Sequence, residues 1–541
     1  MTNRLNHLPP FQRAIAKAHL CSAGARYEDL DKPIIAVVNT WNEIVPGHSP
    51  LRELAEHVKR GIYQAGGTPL EFNTIAICDG ITQGHCGMNY VLPSRELIAD
   101  SVETMINSHG IFDGMVLMGS CDKIVPALLM AAARLNLPSI MLTAGPNIPE
   151  IKPHESKAAR QKFMRGEIDE KTLVEETLRY YPGPGICPYL GTANTMGILT
   201  EALGLALPGN GLAPAQSSLR FKIAEESGIR AVQMVKEELL PRKILTKEAF
   251  ENAIRVLLAI GGSLNGVLHL LALAKEVGVE LSLKDFDLLS RSTPLLTAVV
   301  PNDQEHTVID IFRAGGAPAV MKRLETLLNT DQMTVTGKTM KDNLSQVTTI
   351  GELIHSLDNP LQTEGGLVVL HGNLAPDGAL LKRSAIAGEE TLIKGRARVF
   401  NSEEECLAAE KVDTDEILVV RYEGPAGGPG MRELHRVTEF LQVRGGKAIL
   451  TDGRFSGASG GVSVGYISPE AAAGGIIGLV EDGDIILIDM EKRELQLQVS
   501  SEILKERRAK FLPLEKQASP YLKSYAHKVS SANLGAIFKE Q

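Results

Sequence analysis

Two Cys-Asp dipeptides, Cys78-Asp79 and Cys121-Asp122, stand where short apolar runs end. Thiolate sulfur is a soft ligand suited to iron–sulfur clusters or zinc, whereas carboxylate oxygen is hard and suits magnesium. A Cys-Asp pair repeated at two strand ends would let one crevice hold two unlike metals side by side. A third thiol, Cys187, sits in Gly185-Ile186-Cys187-Pro188, just ahead of a helical pattern. Each thiol alone reads as well as a small buried hydrophobe, and each Asp as a turn former or helix cap. The repetition of both features is what brings metal chemistry level with that plainer reading.

A second group lies far down the chain. Thr451 to Gly461 (TDGRFSGASGG) leaves an apolar strand and enters a glycine-rich loop around Ser456. Backbone N–H groups in such a loop can bind an anion or stabilise an ionised serine, although a plain glycine turn has the same composition. Upstream, Tyr422 to Glu433 (YEGPAGGPGMRE) is too rich in Gly and Pro for a helix. It offers Glu423 and Glu433, each either a metal ligand or a solvated surface charge.

The elements that must position these residues follow from hydrophobic period. Pro33–Val38, Thr74–Cys78, Gly114–Met118 and Ser139–Thr143 read as buried strands. Helical patterns over 51–65, 94–108 and 126–135 separate them, the first stopped by Gly66-Gly67. This alternation predicts an α/β fold, a parallel sheet with helices on both faces, with ligands outside the carboxyl ends of its strands. More helices follow over 151–181, 192–207 and 218–240, and a buried helical pair spans 250–277 around Gly261-Gly262. Beyond about 340 short β-rich runs appear (GLVVLHG, ARVF, EILVVRYEG, KAILTDG, DIILIDM, ELQLQVS), and a helical, charged tail begins near 500. They predict a second, barrel-like β-rich domain. The boundary falls within 345–375, giving domains 1–355 and 356–541.

Composition excludes some functions. The 541 residues carry a net charge of −9 with no basic stripe, which argues against a nucleic-acid partner. Aromatics are only 4% against 51 glycines, a balance suited to tight strand-to-helix turns. No apolar run approaches the roughly 20 residues of a membrane span, and Lys17 and His19 interrupt the N-terminal segment, so a cytoplasmic location is expected. The six cysteines include no Cys-x-x-Cys pair and are expected to be free, catalytic or metal-bound.

CDGITQGHCGM, LPSRELIADSVE, GSCDKIVPALLMAAARLN, GTANTMGILTEALGLALPGN, RYEGPAGGPGM and TDGRFSGASGG occur in that order. Together they resemble the dihydroxy-acid dehydratase and phosphogluconate dehydratase family, nearly end to end. The resemblance implies removal of water from a 2,3-dihydroxy acid to give a 2-keto acid. It implies an iron–sulfur cluster on Cys121 and Cys187, and Mg2+ on Asp79, Asp122, Glu433 and a carbamylated Lys123. It also implies Ser456 as general base, and a homodimer.

The chain departs from the family's pattern in places. Gly47-His48 stands where many 2Fe–2S members carry a cysteine. The third cluster ligand is therefore open between Cys78, the first choice, and Cys86 or His48, and the cluster between 2Fe–2S and 4Fe–4S. The family's Gly-Gly-Ser-Thr-Asn run has Leu264 in place of Thr. RFSGASGGVSVGYISPEAAAGG leans toward branched-chain substrates, 2,3-dihydroxy-3-methylbutanoate and its homologue, the favoured reading. CDGITQGH and GMRELHRVT lean toward sugar acids, with Arg432, Arg436 and Arg444 available for a phosphate. A non-catalytic iron–sulfur sensor is a third reading, disfavoured because a sensor needs neither base nor magnesium site.

Overall fold

The computed structural model describes residues 3–386, 391–455 and 461–539, and for 442–444 the backbone alone. The N-terminal sheet contains β1 (Ile34–Asn39), β2 (Thr68–Asn73), β3 (Gly114–Met118) and β4 (Ser139–Leu142). All pairings are parallel, in the order β2-β1-β3-β4. Every residue of β1, β3 and β4 is buried, as expected of a parallel sheet covered on both faces. Helices Leu51–Gln64 and Ser218–Glu237 pack together over one part of it. They approach so closely that a Cβ on Gly61 would lie 2.0 Å from the carbonyl oxygen of Glu225. Helices Pro93–His109, Ile124–Leu135 and Asn265–Val277 form a second packed group.

The second strand is not where the apolar run Thr74–Cys78 predicts it. Thr68–Asn73, directly after the Gly66-Gly67 turn, pairs with β1 as an edge strand and alternates between buried and open positions toward its end. The β-branched run that follows leaves the sheet and delivers Cys78 to the start of a helical turn, Asp79–Thr82. Consequently the two Cys-Asp pairs are not on neighbouring strand ends, since β1 lies between β2 and β3.

The C-terminal region forms one eight-stranded sheet. Its strands are β5 (Val368–Leu370), β6 (Gly378–Leu381), β7 (Leu392–Phe400), β8 (Glu416–Val420), β9 (Ala448–Thr451), β10 (Ser463–Ser468), β11 (Ile485–Asp489) and β12 (Glu494–Leu497). The order is β12-β11-β7-β8-β9-β10-β6-β5. A bridge between His371 and Glu494 joins the two edges, so the sheet is nearly closed into a barrel around Leu370, Leu381, Ile417, Val419, Val464 and Ile486. The runs read as strands are all present, and β6 and β10 are added. No helix among the described residues is long and apolar enough to cross a membrane.

Candidate functional site

The site forms where the carboxyl ends of the N-terminal strands face the Tyr422–Glu433 loop of the barrel. After β3 the chain turns sharply, with Cys121 in the left-handed region at φ 64°, and Lys123 then caps the helix Ile124–Leu135. Few non-glycine residues adopt that conformation without a compensating constraint. His48 supplies one, because its Nε2 lies 2.8 Å from the carbonyl oxygen of Ser120 and its Nδ1 2.9 Å from the Thr40 hydroxyl. Burial also pushes its imidazole below its ordinary pKa. Both ring nitrogens are thus spent on the loop, and His48 is a brace rather than a cluster ligand.

Cys78, Cys121 and Cys187 border the same crevice, Cys78 and Cys121 half-buried and Cys187 exposed. Gly47 marks where Cys121 approaches the segment that carries Cys187. A Cβ there would stand 3.0 Å from Cys121 Sγ and 2.6 Å from the side chain of Ile186, the residue before Cys187. Burial raises the Cys121 thiol well above its usual range, whereas Cys187 stands open to solvent. Thiolates lining one crevice are soft donors of the kind a metal cluster takes once their protons leave. Cys86 is exposed at the start of a short 3-10 turn.

Beside the thiols, oxygens of Asp79, Asp122 and Glu433 lie within 4.8 Å of one another. The Lys123 amine is wholly buried among them, 3.5 Å from Asp79, 3.2 Å from Asp122 and 3.5 Å from Glu433. Burial, and then the Asp122 charge, push the Asp79 carboxyl well up. Burial acts on Asp122 in the same direction, but Lys123 and Arg454 together hold it below the usual carboxylate range. Asp79 Oδ1 is buried without a hydrogen-bond partner. A converging oxygen set with an orphaned acceptor fits a hard divalent cation.

Glu433 comes from the barrel. Its Oε1 accepts from Asn265 Nδ2 at 2.7 Å and from the Arg454 guanidinium. Asn265 also donates to Thr192 Oγ1 at 2.9 Å and accepts from the Tyr466 hydroxyl. Asn265, Thr192, Arg454 and Tyr466 were not singled out from the sequence as site residues. Arg454 stood inside the quoted glycine-rich motif and Asn265 at the end of the Gly-Gly-Ser run, which was the available signal.

Glu423, the other candidate, is no solvated charge and not part of this cluster. It is fully buried, paired with Arg432 and with Lys516 at 2.7 and 2.8 Å, and accepts from the Glu403 N–H. Arg432 is taken up by Glu404 and Glu423, so it is not free for a phosphate. Arg436 donates to the Gly84 carbonyl at 3.2 Å. Ser456 and the side chain of Arg444 lie outside the described residues.

Two family models cover most of the chain: dihydroxy-acid/6-phosphogluconate dehydratase N-terminal over residues 32–343, and the corresponding C-terminal model over 352–536. The chain belongs to the dihydroxy-acid/6-phosphogluconate dehydratase family. It is therefore an enzyme, a hydro-lyase. Among its relatives, the dihydroxy-acid dehydratase of Pyrococcus abyssi is 47% identical, with 98% of each chain covered. Those of Ignicoccus hospitalis and Acetivibrio thermocellus, of the same name, are 48% and 46% identical, covering 96% and 98% of each chain. In this dehydratase Asp79 and Asp122, within the first matched region, meet Glu433 from the second.

Proposed function

We propose that this dehydratase converts 2,3-dihydroxy-3-methylbutanoate and its isoleucine-pathway homologue to 2-keto acids, with an iron–sulfur cluster and Mg2+ as cofactors. The juxtaposition of three thiols with a carboxylate cluster at one crevice carries this reading. The names of the relatives support the branched-chain substrate, as does the engagement of Arg432 by Glu404 and Glu423, which leaves less positive charge for a sugar-acid phosphate.

Cys78, Cys121 and Cys187 would hold the cluster, and Asp79, Asp122, Glu433 and a carbamylated Lys123 the magnesium. Carbamylation replaces an ammonium, which repels a cation, with oxygen donors, and the surrounding carboxylates then need the metal to offset their charge. When bound, these groups supply Lewis acidity to the substrate's carboxylate, its 2-hydroxyl and the departing 3-hydroxyl. Ser456, two residues beyond Arg454, takes the C2 proton, a role that rests on the family resemblance. Loss of the 3-hydroxyl leaves an enol, and proton return to C3 gives the 2-keto acid. A homodimer completes the reading, on resemblance alone.

Anaerobic purification with iron, sulfide and magnesium quantitation, followed by parallel assays on 2,3-dihydroxy-3-methylbutanoate and 6-phosphogluconate, tests it. Keto-acid release from the branched-chain acid by protein containing iron and sulfide is expected. Release from the phosphorylated acid alone, or turnover by protein lacking iron, would overturn it.

A further inference from the structure

Glu433 is the one member of the carboxylate cluster supplied by the barrel. It reaches the other members across the boundary between the two family domains, so its position has to be set by something other than its own backbone. Two hydrogen-bond donors converge on a single oxygen, with a cation nearby. Asn265 Nδ2 lies 2.7 Å from Oε1, the Arg454 guanidinium bonds the same atom, and the Lys123 amine stands 3.5 Å away. Among the described residues, no hydrogen bond reaches the second oxygen, Oε2.

The donors are themselves fixed. Asn265 spends its other amide hydrogen on Thr192 at 2.9 Å, and its carbonyl accepts from the hydroxyl of Tyr466. That contact joins the N-terminal helix Asn265–Val277 to β10 of the barrel. Arg454 is wholly buried, and its Nε donates to the Met431 carbonyl at 2.6 Å. The backbones of Glu433 and Arg454 also pair as a bridge. Asn265, Arg454 and Tyr466 are each less than 3% exposed, so none has solvent as an alternative partner.

We propose that Asn265, Arg454 and Tyr466 act as positioning residues that hold the Glu433 carboxylate in one orientation for the divalent cation. The inference rests on the cation reading of the Asp79–Asp122–Glu433 cluster. A carboxylate fixed by two buried donors meets a metal in one orientation. Partners of metal ligands commonly change metal affinity when removed, about 10- to 100-fold.

The test titrates Mn2+ into the anaerobically purified holoenzyme and follows the free-ion EPR signal, for wild type, Asp122→Asn, Asn265→Ala, Tyr466→Phe, Arg454→Gln and Arg454→Lys. Circular dichroism and visible absorbance monitor fold and cluster. Wild type is expected to bind and Asp122→Asn to lose binding. Asn265→Ala and Arg454→Gln should weaken binding about tenfold or more, with partial recovery in Arg454→Lys. Activity of Asn265→Ala should return as Mg2+ is raised, because the clamp acts on affinity rather than on the chemical step. If wild type fails to bind, the cation reading falls and the clamp with it. If wild type binds and the folded clamp variants bind equally well, the clamp alone is overturned. Should Arg454→Gln lose its fold, Asn265→Ala and Tyr466→Phe decide by the same criterion.

Discussion

Glu470 shows how a single acid can serve the site without touching it. Its carboxylate accepts from the N–H groups of Ala426 and Gly427 at 3.1 and 2.8 Å, pinning the loop that carries Glu433. Burial, reinforced by the neighbouring Asp452, pushes its carboxyl up to about 7. Its ordinary value is 4.5, so between the two the unfolded chain releases a proton that the native protein keeps. Stability from this group is therefore complete below about pH 4.5 and is lost as pH rises to about 7, by about 3 kcal/mol at most. Urea midpoints of wild type and Glu470→Gln, measured from pH 4 to 8, should converge or cross through that window. The amide adds a constant offset, because its nitrogen faces a backbone donor. A difference between the two that does not vary with pH would show that Glu470 keeps an ordinary carboxyl.

At the scale of elements, the decisive piece is the Tyr422–Glu433 loop, which has no regular structure and must be held from outside. Asp452 accepts from the N–H groups of Tyr422, Glu423 and Ala471, and Glu470 holds the next turn. Tyr422 and Met431 adopt left-handed φ angles of 59° and 47°, and Tyr466 beside them 60°, a concentration of costly conformations at a working site. Gly430 lets the loop reach the other domain. At φ 99°, it lies against Asn89 so tightly that a Cβ would fall 1.8 Å from the Asn89 carbonyl oxygen. Asn89 in turn donates to the Pro429 carbonyl at 2.9 Å. Gly430→Ala should push the loop off Asn89, cutting Mg2+ affinity and turnover while the visible absorbance of the cluster persists, since all three candidate thiols lie in the N-terminal domain. Equal Mg2+ affinity in the variant would show that the loop can relocate without carrying Glu433 away.

The whole molecule is closed by its C-terminal tail. Lys516 pairs with Glu423 at 2.8 Å, and Ser519 and Tyr521 bond Tyr90 and the Pro93 carbonyl. The carbonyls of Gly535 and Ala536 receive the buried Arg95 guanidinium at 3.0 and 2.7 Å. Arg95 also donates to His269, one turn along the helix from Asn265. Removing residues 516–541 would leave Arg95 buried with two fewer acceptors and Glu423 with one fewer cation, both costly in a dry interior. The truncated enzyme should melt at a lower temperature and bind Mn2+ more weakly. Full Tm and full Mn2+ affinity would show that the tail contributes neither.

The amino-acid sequence by itself determined what depends on local order. The parallel α/β region follows from apolar runs alternating with 3.6-period segments, the barrel strands from short β-branched runs between Gly and Asp turns, and the family from motifs whose residue types are legible in line. It also supplied Cys78, Asp79, Cys121, Asp122, Lys123, Cys187 and Glu433 as candidates for one centre. Tertiary structure decided what depends on the meeting of distant segments. It chose Thr68–Asn73 over the more β-like Thr74–Cys78, because pairing with β1 was available directly after the Gly66-Gly67 turn. It separated Glu433 from Glu423, two similar glutamates on one loop, by placing one beside Asp122 and the other beside Arg432. It turned His48 from a possible ligand into a brace and brought Asn265, Arg454 and Tyr466 to the centre. A side chain's role here is set by which charges and carbonyls surround it once it is buried, and those neighbours range from a few residues away to the 201 that separate Tyr466 from Asn265.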